Sequence, residues 1–195
     1  MKSVLVWIAN AMGVILVLPW IAWSKIGFLF KTERPYLGSA YTLAMVPGGL
    51  GMTLRRAFYK YVLISSHWDL SMHFGSVVTR PTAALGRRLY IGSYCLIGRC
   101  RIGDDVLIAS RVSIPSGRHQ HRFSDPTQIS QQGGSFEEIE IGSDVWIGEG
   151  AIVMASVGSK AVVGAGAVVV KPVTEGIIVV GNPARESGKR LTVGS

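Results

Sequence analysis

Along residues 85–114 an aliphatic residue followed by a small one returns every six positions. Leu85-Gly86, Ile91-Gly92 and Ile97-Gly98 are followed, after one five-residue step, by Ile102-Gly103, Ile108-Ala109 and Ile114-Pro115. The rhythm stops there. It resumes with Ile141-Gly142, Ile147-Gly148 and Val153, and passes through a shortened step into Val157-Gly158, Val163-Gly164 and Val169. A six-residue period suits neither an amphipathic helix nor an alternating strand; it is the period of a β-helix, in which tight corners join short strands. Three such strands close a triangular coil of about eighteen residues. The aliphatic side chain points into the prism, and the small residue after it spares the turning backbone a crowding Cβ. One coil buries too little to stand alone, so coils must stack.

Before the repeats the pattern is of another kind. Residues 4–23 carry no charge, and as a helix this stretch would reach about 30 Å, the thickness of a hydrocarbon core. A cleaved signal is the competing reading, because Lys2 precedes the apolar run. Ile21-Ala22-Trp23-Ser24 offers no small-x-small cleavage pattern, whereas Trp20 and Trp23 suit an interfacial belt. Residues 36–52 are also uncharged but are interrupted by Gly38, Pro47, Gly48, Gly49 and Gly51, which makes a poor straight spanning helix. A re-entrant hairpin would keep Lys2, Lys25, Lys31, Arg34, Arg55, Arg56 and Lys60 on one side facing anionic lipid, while a single crossing would strand Lys2. Residues 54–63 read as an amphipathic helix on the bilayer surface, or else as an ordinary solvated basic face. The expected organisation is a membrane-anchoring helical segment over 1–65, a β-helix domain over 66–190 with a loop at 116–136, and a tail at 191–195.

Composition sharpens this picture at two points. The net charge of +8 over 195 residues, with a pI of about 9.8, calls for an anionic partner: nucleic acid, a phosphorylated ligand or an acidic leaflet. Mean hydropathy of +0.35, with the excess at the N-terminus, favours the membrane. Nucleic acid is disfavoured, because the charge clusters at the membrane segment and the C-terminal tail without an aromatic stacking surface. Cys95 and Cys100 lie where small apolar residues are expected in the repeat and form neither a metal motif nor a disulfide framework, consistent with a reducing compartment.

The candidate chemistry sits in the interruption, which runs Ser116-Gly117-Arg118-His119-Gln120-His121-Arg122 and on to Gly133, Gly134 and Ser135. A rigid coil projecting an imidazole into a cleft is a way to hold a general base with a near-neutral pKa; a solvated polar loop is the plain alternative.

The repeats and this loop, together with Asp144-Val145-Trp146-Ile147-Gly148, the run Val163-Gly164-Ala165-Gly166-Ala167-Val168-Val169 and Gly181-Asn182-Pro183-Ala184-Arg185, resemble the left-handed β-helix hexapeptide-repeat acyltransferases, in particular the sugar O-acetyltransferase branch. The resemblance covers roughly residues 85–190 and implies an all-β, left-handed parallel β-helix, which the membrane-associated helices read from the hydropathy would precede. It implies a homotrimer binding acetyl-CoA between neighbouring coils. One histidine would take the proton of an acceptor hydroxyl as its oxygen attacks the thioester, without an acyl-enzyme. Counting without gaps from Ile108 puts that histidine on His119; matching the following Asp125-Pro126 with one insertion puts it on His121. Glu137 or Glu138 would orient the imidazole or the acceptor, or form a solvated pair. Trp146 would flank the acceptor or the pantetheine arm, Ala165 and Gly166 would admit a pantetheine amide to the backbone, Lys171 and Arg185 (with Lys189 and Arg190) would meet the CoA phosphates, and Asn182-Pro183 would lie at the adenine end. Tyr94 stands where the family often has asparagine, and residues before 65 have no counterpart in the soluble members. The implied activity is O-acetylation of a cell-envelope or exopolysaccharide sugar, or its lipid-linked precursor, at the cytoplasmic side of the inner membrane. A silent membrane scaffold and a zinc carbonic anhydrase of the same fold are the alternatives; the latter needs three zinc-binding histidines, and only His119 and His121 fall in the repeats.

Overall fold

A computed structural model of the chain describes residues 2–118, 120–122 and 126–190. His119, Asp125 and the tail at 191–195 therefore lie outside the described residues. Three helices come first: α1 (Lys2–Leu29), α2 (Arg34–Ala44) and α3 (Gly48–Val62). Of the expected breakers only Pro47 lies between α2 and α3; Gly38 falls inside α2, and Gly48, Gly49 and Gly51 lie in the first turn of α3.

The repeats then wind into a parallel β-solenoid. Face one stacks β1 (Ser71–Met72), β4 (Tyr90–Ile91), β7 (Leu107–Ile108), β10 (Trp146–Ile147), β12 (Val162–Val163) and β14 (Ile177–Val180). Face two stacks β2 (Val77–Val78), β5 (Leu96–Ile97), β8 (Ser113–Ile114), β11 (Ile152–Val153) and β13 (Val168–Val169). Face three holds β3 (Ala84–Leu85), β6 (Cys100–Ile102) and β9 (Ile139–Ile141), continued by single bridges at Val157 and Val173. A final strand, β15 (Arg185–Lys189), folds back antiparallel on β14. The last residue of each repeat strand from β3 to β13, among them Leu85, Ile91, Ile102, Ile141, Ile147 and Val169, is buried in the prism, and each such burial contributes about 1.5–3 kcal/mol.

Coil lengths follow the shortened steps. Ser71 pairs with Tyr90, nineteen residues on, Tyr90 with Leu107, seventeen on, and Trp146 with Val162, sixteen on. The shorter coils take their missing residues from the corner between faces two and three, where the short steps fall.

The corners also show what the small residues do. A Cβ on Gly92 would stand 2.6 Å from the Ala109 carbonyl carbon of the next coil, so glycine there permits close stacking. The turning itself falls to residues further on: Arg88, Asp105, Asp144 and Lys160 at one corner, Tyr94 and Arg111 at another, all with positive φ. Left-handed backbone costs a non-glycine residue roughly 1–2 kcal/mol. Five of the six offset it with an N–H donated to the preceding coil: Tyr94 to Phe74 O (3.0 Å), Asp105 to Arg87 O (2.9 Å), Arg111 to Ser93 O (2.8 Å), Asp144 to Asp104 O (2.9 Å) and Lys160 to Ser143 O (2.8 Å).

The helices close the first end of the prism and share its core, which runs without a break from Val17 to Val179. Here residues 54–63 depart from expectation. The apolar face of α3 (Leu54, Ala57, Phe58, Tyr59, Val62) is buried in the protein rather than turned to a bilayer. Its cations bond protein carbonyls: Arg55 Nε donates to Met72 O (3.0 Å), Arg56 Nε to Leu70 O (2.7 Å) and Lys60 Nζ to Ser66 O (2.9 Å). Periodicity had shown an apolar face but not which surface would cover it. Cys95 and Cys100 are buried free thiols, and burial pushes Cys100 up to about 12.

Candidate active site

The long loop leaves at the corner between faces two and three, and side chains from distant coils hold it. Its two legs meet where Glu137 N–H donates to Ser116 O (3.0 Å), while Ser116 Oγ accepts from Arg99 N–H (2.8 Å). On the outgoing leg, Arg118 Nη1 donates to Val170 O (3.0 Å), two coils further along the prism and next to Lys171. On the returning leg, the Phe136 ring lies under the Arg80 guanidinium, 4.5 Å from its centroid, and Arg80 is itself paired with Glu33 at the start of α2 (2.9 Å). Between the legs Arg122 N–H donates to Gly133 O (2.9 Å), and His121 beside it is exposed. Glu138 is engaged by Arg101 (3.3 Å).

The other expected residues fall in three places. Trp146 stands half exposed on the outer side of face one, in register with Leu107 and Val162. Beside it is a shallow cavity of about 240 Å³ where Arg190 pairs with Asp144 (3.1 Å), so Arg190 is committed to the scaffold. Ala165 and Gly166 are exposed at the corner between faces one and two, and a Cβ on Gly166 would meet nothing within 4 Å. Asn182 and Pro183 continue that corner, tied to the coil before them by Val168 N–H to Gly181 O (2.9 Å) and Ala184 N–H to Val168 O (2.8 Å). Together these four form an exposed backbone track. Lys171 and Arg185 come together at the last coil, where they line a cavity of about 250 Å³ with Pro172 and Ala184.

Sequence reasoning missed Arg80, Arg99 and Phe136, which hold the loop; Arg80 and Phe136 are too far apart in the chain for any local pattern to pair them. Among the described residues, no cluster of three His, Cys, Asp or Glu side chains is placed to hold a metal ion.

Comparison with family models and with curated proteins gives no match. Solved structures do resemble the chain. A maltose O-acetyltransferase from Clostridium difficile 630 superposes with a TM-score of 0.74 at 23% identity, over 87% of this chain and 92% of that one. That span is longer than residues 66–195, so the segment before 65, expected to lack a counterpart, is matched in part. A hexapeptide-repeat acetyltransferase from Vibrio cholerae gives 0.63 at 22% identity, over 82% and 91%. AntD, an N-acyltransferase from Bacillus cereus solved with dTDP and 3-hydroxybutyryl-CoA, gives 0.54 at 16% identity, over 68% and 86%. The chain has the fold of the hexapeptide-repeat acyltransferases.

Proposed function

We propose that the chain is a membrane-associated, acetyl-CoA-dependent O-acetyltransferase whose acceptor is a hydroxyl of an envelope saccharide or its lipid-linked precursor. The observation that carries this reading is the imidazole-bearing loop fastened by Arg118 beside Lys171, on a prism whose last coil gathers Lys171 and Arg185 around one cavity. Two cations set against one carboxylate, Glu186, leave this pocket net positive, which suits the phosphates of CoA. The track at Ala165, Gly166, Asn182 and Pro183 offers unobstructed backbone to the pantetheine amides, and Trp146 lies on the adjoining face. AntD is solved with an acyl-CoA, and the maltose enzyme is an O-acetyltransferase by name; both support the assignment.

In the reaction, His119 or His121 takes the proton of the acceptor hydroxyl as its oxygen attacks the thioester carbonyl. Collapse of the tetrahedral intermediate expels the CoA thiolate, backbone N–H groups having stabilised the oxyanion. A homotrimer completes the site. Its support is the outer side of faces one and two, where Tyr90, Leu107, Trp146, Leu96 and Ile152 are exposed, whereas face three turns Arg101 and Glu140 outward. The run Trp7–Leu29 is long and apolar enough to cross a membrane. With exposed Lys25, Lys31 and Arg34 near its end, it supports attachment at the cytoplasmic side of the inner membrane, where acetyl-CoA is available. Replacing the base by alanine should lower kcat by about 10²- to 10⁴-fold, and replacing the other histidine should change it little. Radiolabelled acetyl transfer by His119→Ala, His121→Ala and the double variant tests this; a double variant with unchanged turnover overturns the assignment.

A further inference from the structure

One face of α1 is covered from Asn10 to Gly27. Asn10, Gly13, Val17, Trp20, Ser24 and Gly27 form the buried or half-buried stripe, three or four residues apart, as one helix face requires. Small residues set its depth: a Cβ on Gly13 would stand 2.8 Å from Thr53 Cγ2, one on Gly27 would stand 2.7 Å from Pro35 Cγ, and Ser24 Oγ lies 3.4 Å from Ser39 Oγ. These contacts run backwards along the partner helices. The end of α1 meets the start of α2, and its beginning meets α3, where Arg56 reaches Asn10 Oδ1 (3.4 Å). α2 and α3 together therefore form one broken arm antiparallel to α1.

That arm is fixed to the first coil at both ends. Near the end of α1, Phe28 packs on Tyr36 (ring centroids 6.0 Å apart), and the Tyr36 hydroxyl donates to Val78 O (2.7 Å). Near its beginning, the Arg56 that meets Asn10 also donates to Leu70 O (2.7 Å). The two attachments sit on two different faces of one coil, Leu70 just before β1 and Val78 at the end of β2, so α1 lies across the end of the prism rather than projecting from it. From Asn10 to Gly27 the helix covers about 25 Å. Standing α1 upright through a hydrocarbon core of about 30 Å would carry that coil in with it, including Asp69, His73 and Arg80, at several kcal/mol per desolvated charge. Laid in the plane of the membrane, α1 keeps all of them in water.

The uncovered side fits that orientation. Trp7, Met12, Ile15, Leu18 and Ile26 are exposed, by 76%, 58%, 67%, 51% and 44%, without a charge among them. Lys25, Lys31 and Arg34 are exposed at the end of this helix and at the turn beyond it, placed to meet anionic headgroups. The geometry points to α1 as an in-plane anchor: its outer face beds in the acyl boundary of one anionic leaflet and crosses to no other side. This rests on the membrane attachment proposed above and assigns its form. It sets the prism upright on the leaflet, with the Glu33–Arg80–Phe136 contact at the membrane end of the loop-bearing corner and the Lys171–Arg185 cavity at the far end.

The test uses the full chain with one nitroxide-labelled cysteine at a time replacing Ile8, Met12, Ile15, Leu18 or Ile26, in phosphatidylethanolamine–phosphatidylglycerol vesicles. Flotation reports attachment; oxygen and nickel-chelate collision rates report depth. The five positions should share one depth to within about a helical turn, ~5 Å. Floating protein whose depth peaks near Ile15 and falls toward both ends would overturn the in-plane orientation while leaving attachment intact. Protein that fails to float overturns both. Labels shielded from oxygen and broadened by one another would show a second copy on this face and overturn the proposal in favour of that contact.

Discussion

The two ends of the prism are finished in opposite ways. At the first, protein meets every exposed strand group of Val78: the Tyr36 hydroxyl donates to its carbonyl (2.7 Å), and its N–H donates to the Tyr59 hydroxyl (3.0 Å). Arg55 adds bonds to Met72 O, Leu43 O, Ala44 O and Val46 O, satisfying both the first coil and the orphan carbonyls where α2 stops. At the last coil a short antiparallel strand covers only part of the core, and a cavity of about 250 Å³ remains, edged by Lys171, Arg185 and Glu186. The sealed end carries stability; the open end is free to carry binding.

The comparison can be broken most severely at Arg55. Arg55→Met keeps the apolar stem but leaves up to four buried carbonyls without a donor, and should cost more than about 3 kcal/mol. Thermal unfolding in detergent would register this as a fall in Tm of many degrees, and a fall of only a degree or two would show that this end is not held as described. At the other end, Lys171→Ala with Arg185→Ala should leave Tm unchanged and raise KM for acetyl-CoA at least tenfold, since one lost charge-assisted bond of about 1.5 kcal/mol corresponds to that factor. A drop in Tm without a KM change would make that end structural as well. The smallest effect belongs to Tyr59→Phe, which removes one acceptor from a buried N–H and should cost about 1–2 kcal/mol with KM unaffected; denaturant unfolding is the measurement.

The prism was legible because its signal is local. Each aliphatic residue of the six-residue rhythm is buried, and the short steps at Ile97 to Ile102 and at Val153 to Val157 reappear as coils of seventeen and sixteen residues. Turning residues such as Arg88 and Tyr94 were not legible, because nothing in their side chains announces positive φ; the hydrogen bonds that hold them come from another coil. α3 was legible as a helix and misread as a surface. A basic amphipathic sequence looks alike whether its arginines meet phosphates or backbone carbonyls, and only the fold brings Met72 O to Arg55. The same holds for the site. The resemblance brought Lys171 and Arg185 together, and the structure places them on one cavity; the fastening of the loop by Arg80 and Arg118 depends on residues 56 and 52 positions from their partners. One practical result concerns truncation. Cutting at residue 65 to obtain a soluble enzyme would uncover Leu70, Met72 and Val78, all fully buried, so insolubility of such a fragment says nothing about membranes.

A parallel solenoid is a natural seed for fibres, since each terminal coil offers a ready template to the next molecule. By engaging both the N–H and the carbonyl of Val78, Tyr36 and Tyr59 leave an incoming strand nothing to zip onto there, and the helices above them block its approach. A prism capped in this way is kept from polymerising end to end.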